Sequence, residues 1–125
     1  MSSNDLIGTW RALSFERYDK DGAAYQPLGP SPRGYAFFDQ TGRAFVVLGK
    51  AMAEGVPPEE IAKSLMVYFG PFAVNDAGDI LSVTVESSNM PDYVGSTQTR
   101  HFKITGDRMV IGTPGQYQAK LERVR

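Results

Sequence analysis

Glu86, Gln98 and Arg100 are the residues whose types and spacing best allow chemistry away from water. They sit in two runs, Ile80–Ser88 and Thr97–Thr105, that alternate as β-strands do. A strand turns successive side chains to opposite faces. In the second run Thr97, Thr99, His101, Lys103 and Thr105 form an all-polar face, so Gln98, Arg100, Phe102 and Ile104 should point inward. An inward guanidinium needs a partner, because an unpaired buried charge is very costly. Glu86 on the preceding run is the natural one, brought near across the Asn89–Gly95 connection. The expected Glu86–Arg100 pair has two readings, a structural ion pair or a ligand-anchoring site.

Two functions would use such a pair. In the first, the protein binds a small apolar or aromatic molecule with a polar end. Phe15, Tyr35, Phe37, Phe45, Tyr68, Phe72, Phe102 and Tyr117 would line the cavity, and Thr84, Glu86, Tyr93, Gln98 and Arg100 would meet the polar end. In the second, the same cavity is an active site. Glu86 would act as general acid or base, Tyr35, Tyr68 or Tyr93 would give a proton, and Arg100 would hold an enolate or carboxylate. That suits cofactor-free isomerase, cyclase or lyase chemistry on a small carbonyl compound. A tight pair with Arg100 lowers a carboxyl pKa and works against the acid role, so binding ranks above catalysis.

Other chemistries lack their residues. The 125-residue chain has no cysteine and one histidine, which excludes thiol nucleophiles, zinc thiolates and a three-histidine metal site. His101 falls on the polar face, away from any triad. No glycine-rich phosphate loop and no GxSxG elbow occurs. Asp19-Lys20-Asp21-Gly22 begins like a calcium loop, but Pro30 stands where that loop needs glutamate. No metal or cofactor is therefore expected. Thirteen basic and 14 acidic side chains are scattered to a net −1, which argues against nucleic acid as a partner. No apolar run is long enough to suggest a membrane span, and MSSNDLIGTW lacks a charged-then-apolar leader. The expectation is a cytoplasmic monomer or homodimer whose partner is a small molecule.

The elements that must position these residues are short strands. Asp39-Gln40-Thr41-Gly42, Asn75-Asp76-Ala77-Gly78-Asp79 and Thr105-Gly106-Asp107 are turn signals, since Gly and Asn tolerate positive φ and Asp caps its own turn. Runs rich in β-branched and aromatic residues lie between them, from Trp10–Tyr18 to Tyr117–Val124. Such strands joined by tight turns pair antiparallel in a sandwich or barrel. One segment differs. Pro57-Pro58-Glu59-Glu60 opens a run with apolar residues at Ile61, Leu65 and Tyr68, which predicts a helix over about 58–68 between the fourth and fifth strand segments, with strand resuming at Phe72. No boundary or repeat divides the chain, and one domain over 1–125 is expected.

Gly8-Thr9-Trp10 at the head of the first strand, with Arg123 in the last, resembles the calycin signature of lipocalins. The ordered segments LIGTWRALSFE, GPSPRGYAFFDQTGR, VYFGPFAV, VESSNMPDYVGSTQTRHFKITGDRMVI and LERV resemble the bacterial and fungal lipocalin-like domain family over nearly the whole chain. The resemblance implies an all-β fold, an antiparallel barrel of eight or nine strands around a cavity, with the helix against the barrel or over its opening. Family members usually carry one or two histidines in the strand before the glutamate; Val83 and Thr84 stand there instead, which removes a possible acid–base pair. Phe45 and Val47 replace positions often polar in the family, implying a more apolar cavity. Trp10 should close one end of the barrel as a structural residue, with Arg123 over its indole face and Gly8 letting the chain pass close. The helix and the Asn89–Gly95 loop should then frame the mouth at the other end.

Overall fold

Side chains at the turns hold the strand ends together. The Asp39 carboxylate accepts from Thr41 N, Thr41 Oγ1 and Arg43 N at 3.0, 2.6 and 3.0 Å, and so joins β3 (Arg33–Phe38) to β4 (Arg43–Gly49). Asn75 Oδ1 accepts from Asp79 N and Ile80 N between β5 (Met66–Val74) and β6 (Ile80–Thr84). Asp19 Oδ1 accepts from Asp21 N and Ala23 N, so Asp19–Gly22 is a turn between β1 (Gly8–Tyr18) and the short β2 (Ala24–Tyr25). These are Asx turns, in which the side chain stands in for a backbone acceptor.

The computed structural model describes residues 5–125; residues 1–4, part of the stretch read for a leader, lie outside them. The remaining elements are α1 (Pro58–Ser64), β7 (Ser87–Ser88), β8 (Thr97–Thr105), β9 (Arg108–Thr113) and β10 (Tyr117–Arg123). Eight strands form a closed antiparallel barrel in the order β1-β3-β4-β5-β6-β8-β9-β10, and β10 returns to pair with β1. The short β2 and β7 attach to β1 and β5. Closure leaves no free edge in the barrel wall. The core runs down the inside, from Trp10 through Ala36, Phe38, Val46, Leu81, Val83 and Met109 to Leu121. No helix of the described residues is long and apolar enough to cross a membrane.

The helix is shorter than its sequence pattern. It ends at Ser64, buries no residue, and gives way at Met66 to a strand that pairs with β4 from Leu48↔Met66 to Arg43↔Pro71. Val67, Tyr68 and Phe69 are β-branched or aromatic, and a full ladder with β4 outweighs the helical spacing of Leu65 and Tyr68. Tyr68 is therefore an inward strand residue.

Two bulges reset which face each strand shows. On β1, Ala12 pairs with Leu121 but Ser14 pairs with Lys120, leaving Leu13 as the extra residue. On β5, Gly70 and Pro71 face three residues, Thr84, Val85 and Glu86, between the pairs Phe72↔Val83 and Phe69↔Ser87. Gly70 permits this crowding: a Cβ there would sit 1.8 Å from the Thr84 carbonyl oxygen.

Candidate functional site

β1 and β10, the strands that close the barrel, begin and end their ladder at Trp10 and Arg123. Trp10 is fully buried and donates Nε1–H to Leu6 O at 2.9 Å. Arg123 covers its ring with the guanidinium carbon 4.3 Å from the ring centroid, and donates to Ile7 O at 2.9 Å and Asp5 O at 2.6 Å. Gly8 has φ +137°, and a Cβ there would come 3.0 Å from Arg123 Nη1.

Further along the barrel lies a cavity of about 130 Å³. Its walls are mostly apolar, with Phe15, Phe38, Met66, Leu81 and Met109 among them. An engineered apolar cavity of ~150 Å³ takes up benzene, so this space suits a molecule of about one ring. Its polar side comes from Arg17, Tyr68, Tyr93, Gln98, Arg100 and Tyr117. Tyr117 is the hub: Phe15 packs on it at 5.4 Å, and the Arg100 and Arg17 guanidinium carbons stand 5.2 and 5.8 Å from its ring centroid. Tyr68 and Tyr93 pack against each other at 5.4 Å. Burial pushes the Tyr68 and Tyr117 phenols above the usual tyrosine range, with Arg100 pulling partly the other way. Both are neutral hydroxyls at neutral pH.

Arg100 is 7% exposed, the single charged or polar residue in the buried core of the described chain. Its guanidinium donates to Thr99 O at 3.0 Å, to Gln98 Oε1 at 2.9 Å and to Tyr93 Oη at 3.1 Å. Its Nε–H has no partner among the described residues. The surrounding loop fixes these acceptors. Gln98 Nε2 donates to Ser96 Oγ at 2.7 Å, Ser96 Oγ donates to Tyr93 O at 2.6 Å, and a single 3-10 turn over Pro91–Tyr93 carries the tyrosine in.

The Glu86–Arg100 pair is absent. Glu86 is exposed, and none of the ion pairs among the described residues includes Arg100. The ladder explains this: Arg100 faces Leu81, and the β6–β8 pairing ends at Thr84↔Thr97, before Glu86 is reached. Thr84 is exposed on the same outward set. Tyr35, Phe37 and Phe45 also point outward, at 40%, 37% and 40% exposure, because Ala36 and Phe38 on β3 and Ala44 and Val46 on β4 take the inner face. Val47 joins them outside, so the two aliphatic and aromatic replacements on β4 do not make the cavity more apolar. Phe72 and Phe102 lie in the core beyond the cavity, Phe72 edge-on to Phe38 at 5.4 Å. The Asn89–Gly95 loop frames the cavity through Tyr93, whereas no residue of α1 lines it. Of the expected ligand contacts, Phe15, Tyr68, Tyr93, Gln98, Arg100 and Tyr117 come together.

Arg17 was not expected there. Counted from Trp10 and Ala12 it should face outward, but the bulge at Leu13 turns Phe15 and Arg17 inward. A sequence signal existed: Phe15 is apolar and out of step with Trp10 and Ala12.

Comparison with known proteins agrees with the barrel. A family model described as a lipocalin-like domain matches residues 7–123. No curated protein matches the sequence significantly. Among solved structures, an uncharacterized protein from Bacteroides eggerthii DSM 20697 is similar, with a TM-score of 0.54 and 14% identity over 94% of this chain and 98% of that one. At that identity the likeness concerns the fold alone.

Proposed function

The chain belongs to the lipocalin-like domain family, and on that premise we propose that it binds a small, largely apolar or aromatic molecule inside the barrel. The observation that carries this reading is the cavity of about 130 Å³. It holds an aromatic wall at Phe15 and Tyr117 and a polar group at Arg100, Gln98 and Tyr93. An eight-stranded barrel has room for packed side chains or one small ligand, and unfilled space lined this way favours the ligand. Acid–base catalysis loses its proposed base, since Glu86 is exposed and no carboxylate or imidazole among the described residues lines the cavity. Tyr35, the other proposed catalytic group besides Arg100, is on the outer face as well.

Native mass spectrometry of protein purified from its own host tests the reading. The expected result is a retained small molecule that is lost from Ala119→Leu, where added methylenes enter the cavity from β10. Equal retention by both proteins would place the molecule elsewhere.

A further inference from the structure

Resting on that reading of the cavity, we propose that the ligand is a planar monoanion, a compound of about one ring bearing a carboxylate or a similarly delocalised oxyanion held by Arg100 and Tyr93. A guanidinium does not lose its proton in a protein, so Arg100 brings a full positive charge into the core. Its three acceptors, a backbone carbonyl, an amide oxygen and a phenol, are all neutral. Arg17, on the same Tyr117 ring, adds a second positive group to the cavity wall, and no acidic residue among the described ones lines the cavity to balance them. A buried charge without a counter-charge is costly, and a ligand of opposite sign removes that cost.

The donor arrangement narrows the anion. Arg100 Nε–H is unpartnered at a side chain more than nine-tenths buried. Tyr93 Oη accepts from Arg100 and so keeps its own proton to donate. Gln98, held by Ser96, fixes the guanidinium plane before any ligand arrives. This preorganised set suits two oxygens in one plane, as a carboxylate presents. Beyond Arg17 the remaining wall is mostly apolar, with Ser14, Thr113 and Gln116 as neutral polar groups, and a cavity of about 130 Å³ has no room for the hydration that a multiply charged group such as a phosphate would keep.

The test is titration calorimetry of the full chain with benzoate and with neutral benzamide, which has nearly the same shape, at low ionic strength. Benzoate should bind at least tenfold more tightly. It should also shift the Arg100 Nε–H resonance, which benzamide should leave nearly unmoved. In Arg100→Met the preference for benzoate over benzamide should vanish. Equal binding of the two probes to the wild-type protein would overturn the anion proposal and leave the cavity reading standing. Failure of both probes, together with failure of toluene to enter, would overturn both. The wild-type comparison needs no variant, so it stands even if Arg100→Met does not fold.

Discussion

Trp10 and Arg123 are register partners across the seam where β1 meets β10, and their side chains stack with 4.3 Å between guanidinium carbon and ring centroid. This stack lies at one end of the β1–β10 ladder that closes the barrel wall. Trp10→Ala should cost about 3–5 kcal/mol through the cavity it leaves. Arg123→Met should cost about 2 kcal/mol, from the cation–π contact and the bonds to Ile7 O and Asp5 O. Urea denaturation checks both. Midpoints unchanged from wild type would show that the seam does not depend on this stack.

Arg100 separates stability from binding. Its charge is buried without a counter-charge among neutral acceptors, a desolvation cost that methionine would not carry and that offsets the loss of its three hydrogen bonds. Arg100→Met should therefore unfold at the same temperature as the wild type or higher, in the absence of ligand. Scanning calorimetry reads this directly. A large fall in melting temperature would mean that the guanidinium network stabilises the barrel by more than its burial costs.

The outer aromatic side chains should be separable from the cavity. Phe45 pairs with Phe37 and Phe69 on neighbouring strands and stacks on Phe69 at 6.0 Å. Phe45→Ser should change stability by about 1 kcal/mol at most and leave cavity occupancy untouched. Loss of ligand in Phe45→Ser, with the fold intact, would place that ring inside.

Gly70 should tolerate no side chain. Its backbone faces the Thr84 carbonyl so closely that alanine must part β5 from the bulged chain. Gly70→Ala should cost about 2 kcal/mol or more, the range of overpacked sites. Hydrogen exchange should show faster exchange at the Glu86 amide, which donates to Phe69 O at 2.8 Å. Exchange and stability like those of the wild type would mean the bulge adapts freely.

How far these features could be read beforehand depended on contrast between strand faces. On β8 one face is entirely polar, so Gln98, Arg100 and Phe102 were legible as inward. On β3 the run Tyr35-Ala36-Phe37-Phe38 is apolar on both faces, and alternation carries no information. There the register decides: Ala36 sits opposite the bulky Trp10, and a small residue fits beside it. On β1 the period itself is broken by a bulge, which turns Arg17 in. On β6 the alternation runs on unbroken: Leu81, Val83 and Val85 face in, and so Thr84 and Glu86 face out. The family and the barrel are legible regardless, because turns, strand lengths and the Gly8-Thr9-Trp10 opening do not depend on phase.

Acid should loosen the β3–β4 turn. Hydrogen bonds from Thr41 Oγ1, then from the Arg43 and Thr41 amides, hold the Asp39 carboxyl below the ordinary 3.8. A depressed folded-state pKa stabilises the fold at pH above the unfolded value, and that contribution is lost as pH falls through the folded one. NMR titration should place Asp39 below 3.8, and Asp39→Asn should flatten the acid limb of the stability curve. An Asp39 midpoint at or above the ordinary value would refute this.

The β1–β10 seam also sets a timetable for synthesis. Arg11 and Glu122, linked across it at 2.9 Å, are 111 residues apart in the chain. Chain elongation proceeds at roughly 5–20 residues per second, so β1 waits roughly 6–22 seconds on the ribosome for its partner strand. During that interval its edge is unpaired and open to other nascent strands. The barrel has no edge once finished, so its exposure to misassembly is concentrated in the time before the last strand emerges.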